Sequence, residues 1–307
     1  MRKEIERSMM FSIQRKYRQD QVTQELVEQL RQFRLTHEYR QLNVEGVNWT
    51  YLCCGQGTET ILLLPGAPGL CETAFQQILC LECSYRLLSV VYPPAITSIA
   101  GVVNGLQALL VSEKIDRVHV IGLSYGGAIA QYLLAQMPAI IDKLIFVCTG
   151  SPDRRTAERY RLLHFLLALL PSSWIHTLLL WAKASFLTGL TAQRPFWSTY
   201  YDYLIPFLTK ADYLARIRVW IDFHCNADLL PIPQARAERK ILIVEAELDR
   251  VFPLKKRHTL ETHYPHAQVY LFPRATHMVA ISDLEPFLAL ITRFLQQTSS
   301  AGQVNPI

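Results

Sequence analysis

The chain has 307 residues, half of them apolar, and a formal net charge of +5. A chain of this size and composition can bury a large core, which excludes an intrinsically disordered protein. Basic and acidic residues are mixed along its whole length, which argues against a nucleic-acid-binding face. The most apolar stretch, residues 162–190, is broken by Pro171 and carries Lys183. Its pieces fall short of a membrane span, but contact with a membrane surface stays open.

Seven cysteines form an odd set in a chain large enough to fold without disulfides. Cys80 and Cys83 have the spacing of half a zinc site, but no second pair accompanies them, and we expect buried thiols instead. The first seven residues carry both signs of charge, and no secretory apolar run follows. We therefore expect a cytoplasmic protein without a metal.

The chain opens with a polar segment in which apolar residues recur at helical spacing, and this predicts an N-terminal helical extension over residues 1–36. Two short strand-like runs follow at 39–44 and 47–53, parted by a turn at Glu45 and Gly46. The apolar run 60–64 predicts a strand buried on both faces.

Five further strand-like runs follow, most of them separated by helical segments: 87–92, 118–123, 143–149, 241–245 and 268–272. This alternation predicts the α/β class, with a mostly parallel central sheet flanked by helices. We expect its core to comprise residues 37–150 and 234–297. The interval 151–233 is too long for one crossover and predicts an inserted helical cap, and residues 298–307 predict a flexible tail.

A buried strand, the residues Gly122-Leu-Ser-Tyr-Gly126 and a helix follow one another directly. Gly-x-Ser-x-Gly is common by chance, but its position between a strand and a helix is typical of a nucleophile elbow. The turn is so sharp that side chains at its two glycines would collide with neighbouring backbone. Ser124 is therefore the candidate nucleophile.

A serine hydroxyl needs a base and an acid that orients the base, and both residue types follow later strands. Asp249 lies just after the run 241–245, and His277 lies just after the run 268–272. Parallel strands end at one edge of a sheet, so these side chains can meet Ser124 there. The chain order Ser, Asp, His is that of α/β hydrolases.

Other residues compete for these roles. The carboxylate can also come from Asp153, Glu245 or Glu247, since an aspartate in such a loop is often only a turn residue. The rival histidines are His258, His263 and His266. They fall in a predicted surface helix and turn, whereas His277 alone lies in a loop that can reach Ser124.

Two backbone amides are candidate donors to an oxyanion. The residue after the nucleophile, Tyr125, supplies one N–H. The loop 65–69 follows a core strand and supplies the other, for which we select Ala67. Plain turn chemistry is the alternative reading of this small-residue loop.

Over residues 40–297 the chain resembles the α/β-hydrolase superfamily. The segments that carry the resemblance are Leu62-Leu-Leu-Pro-Gly-Ala-Pro-Gly69, Gly122-Leu-Ser-Tyr-Gly-Gly127, Glu247-Leu-Asp-Arg-Val-Phe-Pro253 and Ala275-Thr-His-Met278. They correspond to that superfamily's oxyanion, nucleophile, acid and histidine loops. Many members have His-Gly where Pro65-Gly66 stands, and the usual Asp-x-x-Gly-x-Gly segment is replaced by Tyr92-Pro-Pro-Ala-Ile96.

A finer similarity links Tyr92-Pro-Pro and the residues around 102–106 and 116–122 to the maspardin-like branch. That resemblance implies an alternative, because the branch includes interaction proteins without an intact triad. From the triad we expect a serine hydrolase that cleaves a hydrophobic carboxylic ester or thioester and uses no cofactor. The alternatives are an adaptor on the same scaffold and a non-hydrolytic enzyme such as a lyase.

Apolar residues of the predicted cap are candidates for binding a small hydrophobic ester: Phe165, Leu169, Trp174 and Trp181. Helices of any cap also need an apolar underside, so core packing explains the same residues equally well. The sequence leaves the oligomeric state open.

Overall fold

The computed structural model describes Met10, Ile13, residues 15–226 and residues 240–297. Its centre is a single eight-stranded sheet in the order β1-β2-β4-β3-β5-β6-β7-β8. The strands are β1 Tyr39–Val44, β2 Val47–Cys54, β3 Thr60–Leu64, β4 Arg86–Val91, β5 Val118–Leu123, β6 Ile141–Val147, β7 Lys240–Ala246 and β8 Gln268–Phe272.

The sheet is antiparallel only at one edge. Strands β1 and β2 form a hairpin, and β2 pairs antiparallel with β4. All pairings from β4 through β3, β5, β6 and β7 to β8 are parallel. The predicted α/β class with a mostly parallel sheet is therefore confirmed. Because β3, β5, β6, β7 and β8 are parallel, the loops that leave their carboxyl ends share one edge of the sheet.

Strand β6 departs most from its predicted limits. The pattern predicts a strand over 143–149, whereas the strand runs from Ile141 to Val147. Cys148 ends it, because its φ of 45° lies in the left-handed region and turns the chain away from the extended direction. The Cys148 N–H still donates to the Val244 carbonyl at 2.9 Å, so this turn stays fixed to β7.

Helices cover both faces of the sheet. They are α1 Gln21–Thr36, α2 Phe75–Leu81, α3 Ile99–Ser112, α4 Tyr125–Gln136, α5 Arg154–Leu169, α6 Ser172–Phe186, α7 Arg194–Phe207, α8 Lys210–Cys225, α9 Leu254–His263, α10 Val279–Ser282 and α11 Leu284–Gln296. Successive residues of each central strand enter opposite core clusters, as the period-two geometry of a strand requires. Helices α1, α2 and α11 pack on one face, and α3, α4 and α9 pack on the other.

Helix α1 belongs to one of these core layers. The Asp20 side chain caps its first turn, and its apolar stripe, which includes Leu30 and Phe33, is fully buried. Near its end Arg34 forms a salt bridge of 2.6 Å with Glu72. The helical spacing that predicts this segment thus corresponds to a helix packed on the body, while residues 1–9 of the predicted extension lie outside the described residues.

In the described part of the interval between β6 and β7, up to residue 226, four helices, α5 to α8, occupy the segment that the sequence assigns to a cap. Helix α5 packs along α8, and α6 packs along α7. The predicted end of the cap at residue 233 and the predicted tail 298–307 lie outside the described residues. None of the described helices is both long and apolar enough to cross a membrane.

His224, near the end of α8, is buried where the insertion meets the body. Its Nδ1 accepts a hydrogen bond of 2.9 Å from the Asp153 N–H, so this nitrogen carries no proton. Trp220 packs edge-on against the ring at 4.5 Å. Burial, followed by the charge of Lys256, lowers the pKa of His224 to about 4 from its ordinary 6.5.

We expect this histidine to make stability fall in mildly acidic solution. Between pH 6.5 and about 4 the unfolded chain binds a proton that the folded protein excludes, so the free energy of unfolding falls as the pH falls. The contribution reaches roughly 3 kcal/mol. In His224→Asn, which keeps an acceptor for the Asp153 N–H, this part of the decline disappears. Urea unfolding at a series of pH values measures the free energy of unfolding of both proteins. If this free energy falls equally with pH in His224→Asn and in the unchanged protein, the prediction is contradicted.

Candidate active site

Ser124 lies in the tight turn between β5 and α4. Its φ of 52° and ψ of −108° are unusual for a residue with a side chain. Its N–H donates to the Val147 carbonyl at 2.8 Å, and its carbonyl accepts from the Gly127 N–H at 2.9 Å. Both bonds fix the backbone, so the hydroxyl is held at the carboxyl edge of the sheet.

The glycines around Ser124 are required by close backbone contacts. A Cβ at Gly126 would lie 2.2 Å from the Leu64 carbonyl oxygen, and one at Gly122 would lie 2.7 Å from the Gly126 oxygen. Both distances are far shorter than any van der Waals contact, and the groups that would be struck are backbone atoms. The turn can therefore form only without side chains at these two positions.

The structure brings Ser124, His277 and Asp249 together. His277 Nε2 lies 2.9 Å from the Ser124 Oγ, and its Nδ1 lies 2.9 Å from the Asp249 Oδ2. Because a carboxylate only accepts hydrogen bonds, Nδ1 carries the ring proton of the neutral imidazole. Nε2 is then free to accept the proton of the serine hydroxyl, which is the arrangement of a general base.

Asp249 is held from both sides. Its Oδ1 accepts hydrogen bonds from the Val251 and Phe252 N–H groups at 2.8 and 3.0 Å, which leaves Oδ2 for His277. The Phe252 ring stacks on the His277 ring at 5.7 Å. The acid and the base thus have fixed orientations before any substrate binds.

The competing carboxylates are engaged elsewhere. Glu245 is paired with Arg257 at 3.1 Å, and Glu247 accepts from the Arg274 N–H at 2.7 Å. Asp153 caps the first turn of α5. Among the competing histidines, His258 and His263 lie on α9, and His266 is an exposed residue of the following turn. Of these candidates, only Asp249 and His277 extend a hydrogen-bond chain to Ser124.

Both candidate oxyanion donors lie beside the serine. Tyr125 is the first residue of α4, and an N–H in that position has no acceptor within its own helix. Ala67 lies in the loop after β3, where a Cβ on the preceding Gly66 would be 3.9 Å from the Ser124 Cβ. Among the described residues no acceptor binds the Ala67 N–H. Both amides are thus available to an oxygen bound at Ser124.

A chain of aromatic rings extends from the histidine along one side of the site. Phe252 contacts Trp220 of α8 at 6.3 Å, Trp220 stacks on Tyr125 at 5.9 Å, and Tyr125 contacts Tyr92 at 5.6 Å. We call Tyr92, Tyr125, Trp220 and Phe252 the aromatic wall. Trp220 is not among the site residues expected from the sequence, although its helical spacing from Arg216 and His224 places all three on one face of α8.

The four residues selected from the cap lie at the surface. Phe165, Leu169, Trp174 and Trp181 are 60, 68, 63 and 82% exposed, so they line no enclosed pocket in this structure. The reason is the direction in which α5 and α6 pack. Helix α5 buries Thr156 and Ala157, and α6 buries Ile175, which turns the large apolar side chains outward. This corrects the expectation that they surround a substrate.

Cys148 is a further neighbour of the acid. Its thiol, the Asp249 carboxylate and the His277 ring offer atoms within 4.8 Å of one another, as the ligands of a metal would. Burial, and next the Asp249 charge, raise the pKa of the Cys148 thiol, which disfavours the thiolate that a metal needs. The thiol is thus a protonated neighbour of the Asp249 carboxylate. A sequence signal existed, because Cys148 follows a strand end as Asp249 and His277 do.

The cysteine pair at the end of α2 is not buried as expected, with Cys80 in the last turn of the helix and Cys83 just beyond it. Cys80 and Cys83 are exposed, and all seven cysteines are free. Helix α2 buries Phe75, Ile78 and Leu81 on its core side, which leaves Cys80 on the opposite side.

The strain at Ser124 predicts an unusual order of stability. At most helical positions alanine is about 1 kcal/mol more stable than glycine. At position 124 we expect the free energy of unfolding of Ser124→Gly to be about 1 kcal/mol higher than that of Ser124→Ala, because glycine adopts a positive φ without a steric cost. Both variants lack the hydroxyl, so the lost hydrogen bond cancels.

Urea unfolding of the two variants measures this difference. The matched control is Ser198, which lies within α7. There Ser198→Ala should be more stable than Ser198→Gly. An alanine advantage at both positions would show that Ser124 is not strained.

Comparison with known proteins identifies relatives of the chain. It is 25% identical over 221 residues to an uncharacterised protein of Mycobacterium tuberculosis, in a match that covers 68% of this chain. That match spans 64% of the relative's length. The putative carbamate hydrolase RutD of Stutzerimonas stutzeri is 25% identical over 269 residues, which are 80% of this chain and 94% of RutD. Maspardin of Danio rerio is 38% identical over 72 residues, 23% of each chain.

The fold has clear counterparts among solved structures. The crystal structure of a hydrolase from Pseudomonas aeruginosa PA01 superposes with a TM-score of 0.68 at 16% identity, covering 85% of this chain and 99% of the other. At this identity the likeness concerns the fold alone. The model of the alpha/beta hydrolase family matches residues 61–290. The match includes the elbow, the acid loop and the histidine loop and extends over most of the chain, which therefore belongs to the alpha/beta hydrolase family.

Proposed function

We propose that the protein is a serine hydrolase that cleaves a hydrophobic carboxylic ester or thioester through an acyl-serine intermediate. The observation that supports this most strongly is the unbroken hydrogen-bond chain from the Ser124 hydroxyl through His277 to the Asp249 carboxylate. A hydrogen-bond chain of this kind activates a hydroxyl that is a poor nucleophile by itself.

In the first half of the reaction the Ser124 Oγ attacks the acyl carbon while its proton passes to His277 Nε2. The carbonyl oxygen becomes negative and is bound by the Ala67 and Tyr125 amides, which need no reorganisation. Asp249 stabilises the imidazolium that forms. The C–O or C–S bond then breaks, and His277 returns its proton to the leaving alcohol or thiol.

In the second half a water molecule attacks the acyl-serine. His277 accepts a proton from this water, and the same two amides bind the second oxyanion. Collapse of this intermediate releases the carboxylic acid and restores the Ser124 hydroxyl. Every proton in both halves passes through His277 Nε2, and the atoms balance without a cofactor.

The aromatic wall supports an apolar substrate. Its rings extend from Phe252, which stacks on His277, through Trp220 to Tyr125, the residue after Ser124, so this side of the site is built of aromatic side chains. Aromatic surfaces bind apolar groups by the area that they remove from water. The match to a protein named as a putative carbamate hydrolase agrees with hydrolysis at an acyl carbon.

A binding or adaptor function on the same scaffold is the second candidate. The specific observation in its favour is the match to maspardin, at a higher identity than the longer matches but over 72 residues only. An adaptor has no need of a serine, a base and an acid in hydrogen-bonding distance, and for this reason we place hydrolysis first.

Hydrolysis of p-nitrophenyl esters with graded acyl chains tests the proposal. We expect Ser124→Ala to lower kcat by at least about 1,000-fold. Asp249→Asn should also lower kcat, but by no more than Ser124→Ala, since the serine and histidine remain. Nitrophenol release measures both, and the dependence on acyl length reports the extent of the pocket.

The matched control is His258→Ala, which removes an exposed histidine from α9 and should leave the rate unchanged. If folded protein releases no more nitrophenol than Ser124→Ala with any chain length, hydrolysis is excluded for these esters and the adaptor function is favoured.

A further inference from the structure

Arg216 of α8 lies at the end of the loop that carries the candidate oxyanion donor. It is 7% exposed, and its guanidinium covers Gly69 so closely that a Cβ there would lie 2.3 Å from the Arg216 Nε. Gly69 donates its N–H to the Gly66 carbonyl at 2.8 Å, and Gly66 borders Ser124. The guanidinium is therefore placed beside the site by the same short loop.

The buried Arg216 guanidinium has few groups around it that balance its charge or accept its hydrogen bonds. Among the described residues none accepts a hydrogen bond from its Nε, Nη1 or Nη2. An Asp212 oxygen lies 3.5 Å from Nη2, too far for a strong ion pair, and the other Asp212 oxygen is bound by Thr209. A buried guanidinium with unfilled donors is costly to stability, and such groups are typical of ligand sites.

A second unfilled donor lies one helical turn further along α8. The Trp220 Nε1 is buried and has no acceptor among the described residues. Trp220 and Arg216 are four residues apart and therefore lie on the same face of α8. The Trp220 ring stacks on Tyr125, and Arg216 interacts electrostatically with the Tyr125 hydroxyl. Tyr125 directly follows Ser124. Two side chains with unfilled buried donors thus both interact with the residue next to the nucleophile.

From this arrangement we infer that Arg216 binds a carboxylate carried by the substrate. The substrate is then an ester that also has a free carboxylate and is otherwise apolar. The inference rests on the proposed function. A carboxylate matches the planar fork of a guanidinium with two parallel hydrogen bonds, and it supplies the negative charge that the site lacks. The aromatic wall then accommodates the apolar part.

Matched esters test this assignment by turnover. For the acyl side they are p-nitrophenyl monoadipate and p-nitrophenyl hexanoate. For the leaving group they are 4-nitro-3-(octanoyloxy)benzoate and 2-nitrophenyl octanoate. In at least one pair we expect the charged ester to have the higher kcat/KM. Arg216→Met should lower the charged-to-neutral ratio of kcat/KM by about 30-fold, mainly through KM.

Arg216→Lys should restore part of this ratio, because it returns the charge without the fork. The control is Arg117→Met, an exposed arginine paired with Asp142, for which the ratio should not change. Equal losses on the charged and the neutral ester in Arg216→Met would show a structural role only and overturn the inference.

A binding measurement separates this inference from the proposed function, since it needs no turnover. By calorimetry, adipate should bind Ser124→Ala, and Arg216→Met in that background should weaken binding at least about 10-fold, whereas 1,6-hexanediol should not bind. Stronger binding of inorganic phosphate than of adipate would overturn the carboxylate in favour of a phosphorylated substrate. No binding of either anion would overturn the site.

A separate observation concerns the outer side of the insertion. Helices α5 and α6 follow one another across Leu170 and Pro171, and we call their exposed large apolar side chains the hairpin surface: Leu162, Phe165, Leu166, Leu169, Trp174, Leu178 and Trp181. On each helix these residues recur at helical spacing and form an exposed apolar stripe. Exposed apolar stripes of this kind are rare on a monomeric protein unless they contact something.

The charges of the hairpin indicate the partner. Residues 154–186 contain five basic side chains but only one acidic side chain, Glu158. Arg155, Arg159 and Arg161 are exposed on α5 beside the apolar residues. A second copy of the chain on the same face would bring two positive surfaces together, which is repulsive. An anionic lipid surface instead complements both the charge and the apolar and tryptophan side chains.

We propose that the hairpin surface docks on an anionic lipid bilayer. The full chain should co-sediment with vesicles of phosphatidylcholine and phosphatidylglycerol, more weakly at high salt, and poorly with phosphatidylcholine alone. Trp181→Gln should lower the vesicle affinity about 10-fold. Arg155→Gln combined with Arg159→Gln should lower it at least about 10-fold on anionic vesicles.

The control is Leu35→Gln, which removes an exposed apolar residue from the end of α1 and should leave vesicle binding unchanged. Equal losses in Leu35→Gln and Trp181→Gln would contradict docking through the hairpin. Absence of vesicle binding, together with concentration-dependent dimers that Trp181→Gln abolishes, would assign the surface to a second copy.

Discussion

The turn between β5 and α4 is the constraint on which the candidate site depends. It exists because Gly126 approaches the Leu64 carbonyl and Gly122 approaches Gly126 more closely than any side chain allows. This contact packs the start of α4 against the end of β3. Ser124, the Tyr125 amide and the loop 65–69 are thereby held together by backbone atoms, and the loops after β7 and β8 need only bring Asp249 and His277 to a fixed point.

Helix α8 divides the insertion into two functional sides. Its inner face carries Arg216, Trp220 and His224, which contact the oxyanion loop, the residue after the nucleophile and the first turn of α5. On its other side α8 supports α5, whose apolar residues are exposed. The inner side is thus built of donors and aromatic rings, and the outer side of aliphatic and tryptophan side chains with arginines. These are the compositions expected of a binding pocket and of a lipid-facing surface.

Much of the fold could be predicted because short sequence patterns identify its strands and the turn at Ser124. Buried parallel strands appear as continuous apolar runs, and Gly-x-Ser-x-Gly between a strand and a helix has few other structural explanations. Asp249 and His277 could be selected because each follows a strand directly, and strand ends converge in a parallel sheet. Cys148 obeys the same rule, but a lone cysteine gave no reason to connect it with an acid.

The insertion could not be predicted in the same detail, because helical spacing shows that a face is apolar but not what covers it. Phe165 and Trp181 therefore fitted a pocket as well as a surface, and only the packing of α5 on α8 and of α6 on α7 decided between them. Arg216 could not be selected from the local sequence, because its position beside the site depends on contacts with Gly69, which is remote in the sequence.

In the proposed reaction the geometry of Ser124 and His277 makes this serine a nucleophile. Labelling of the folded protein with a fluorophosphonate probe, followed by peptide mass spectrometry, tests this claim without assuming a substrate. We expect a single adduct on Ser124 that is lost when the protein is unfolded before labelling and is strongly reduced in His277→Ala. A folded protein that remains unlabelled, or one labelled at another serine, would contradict the account.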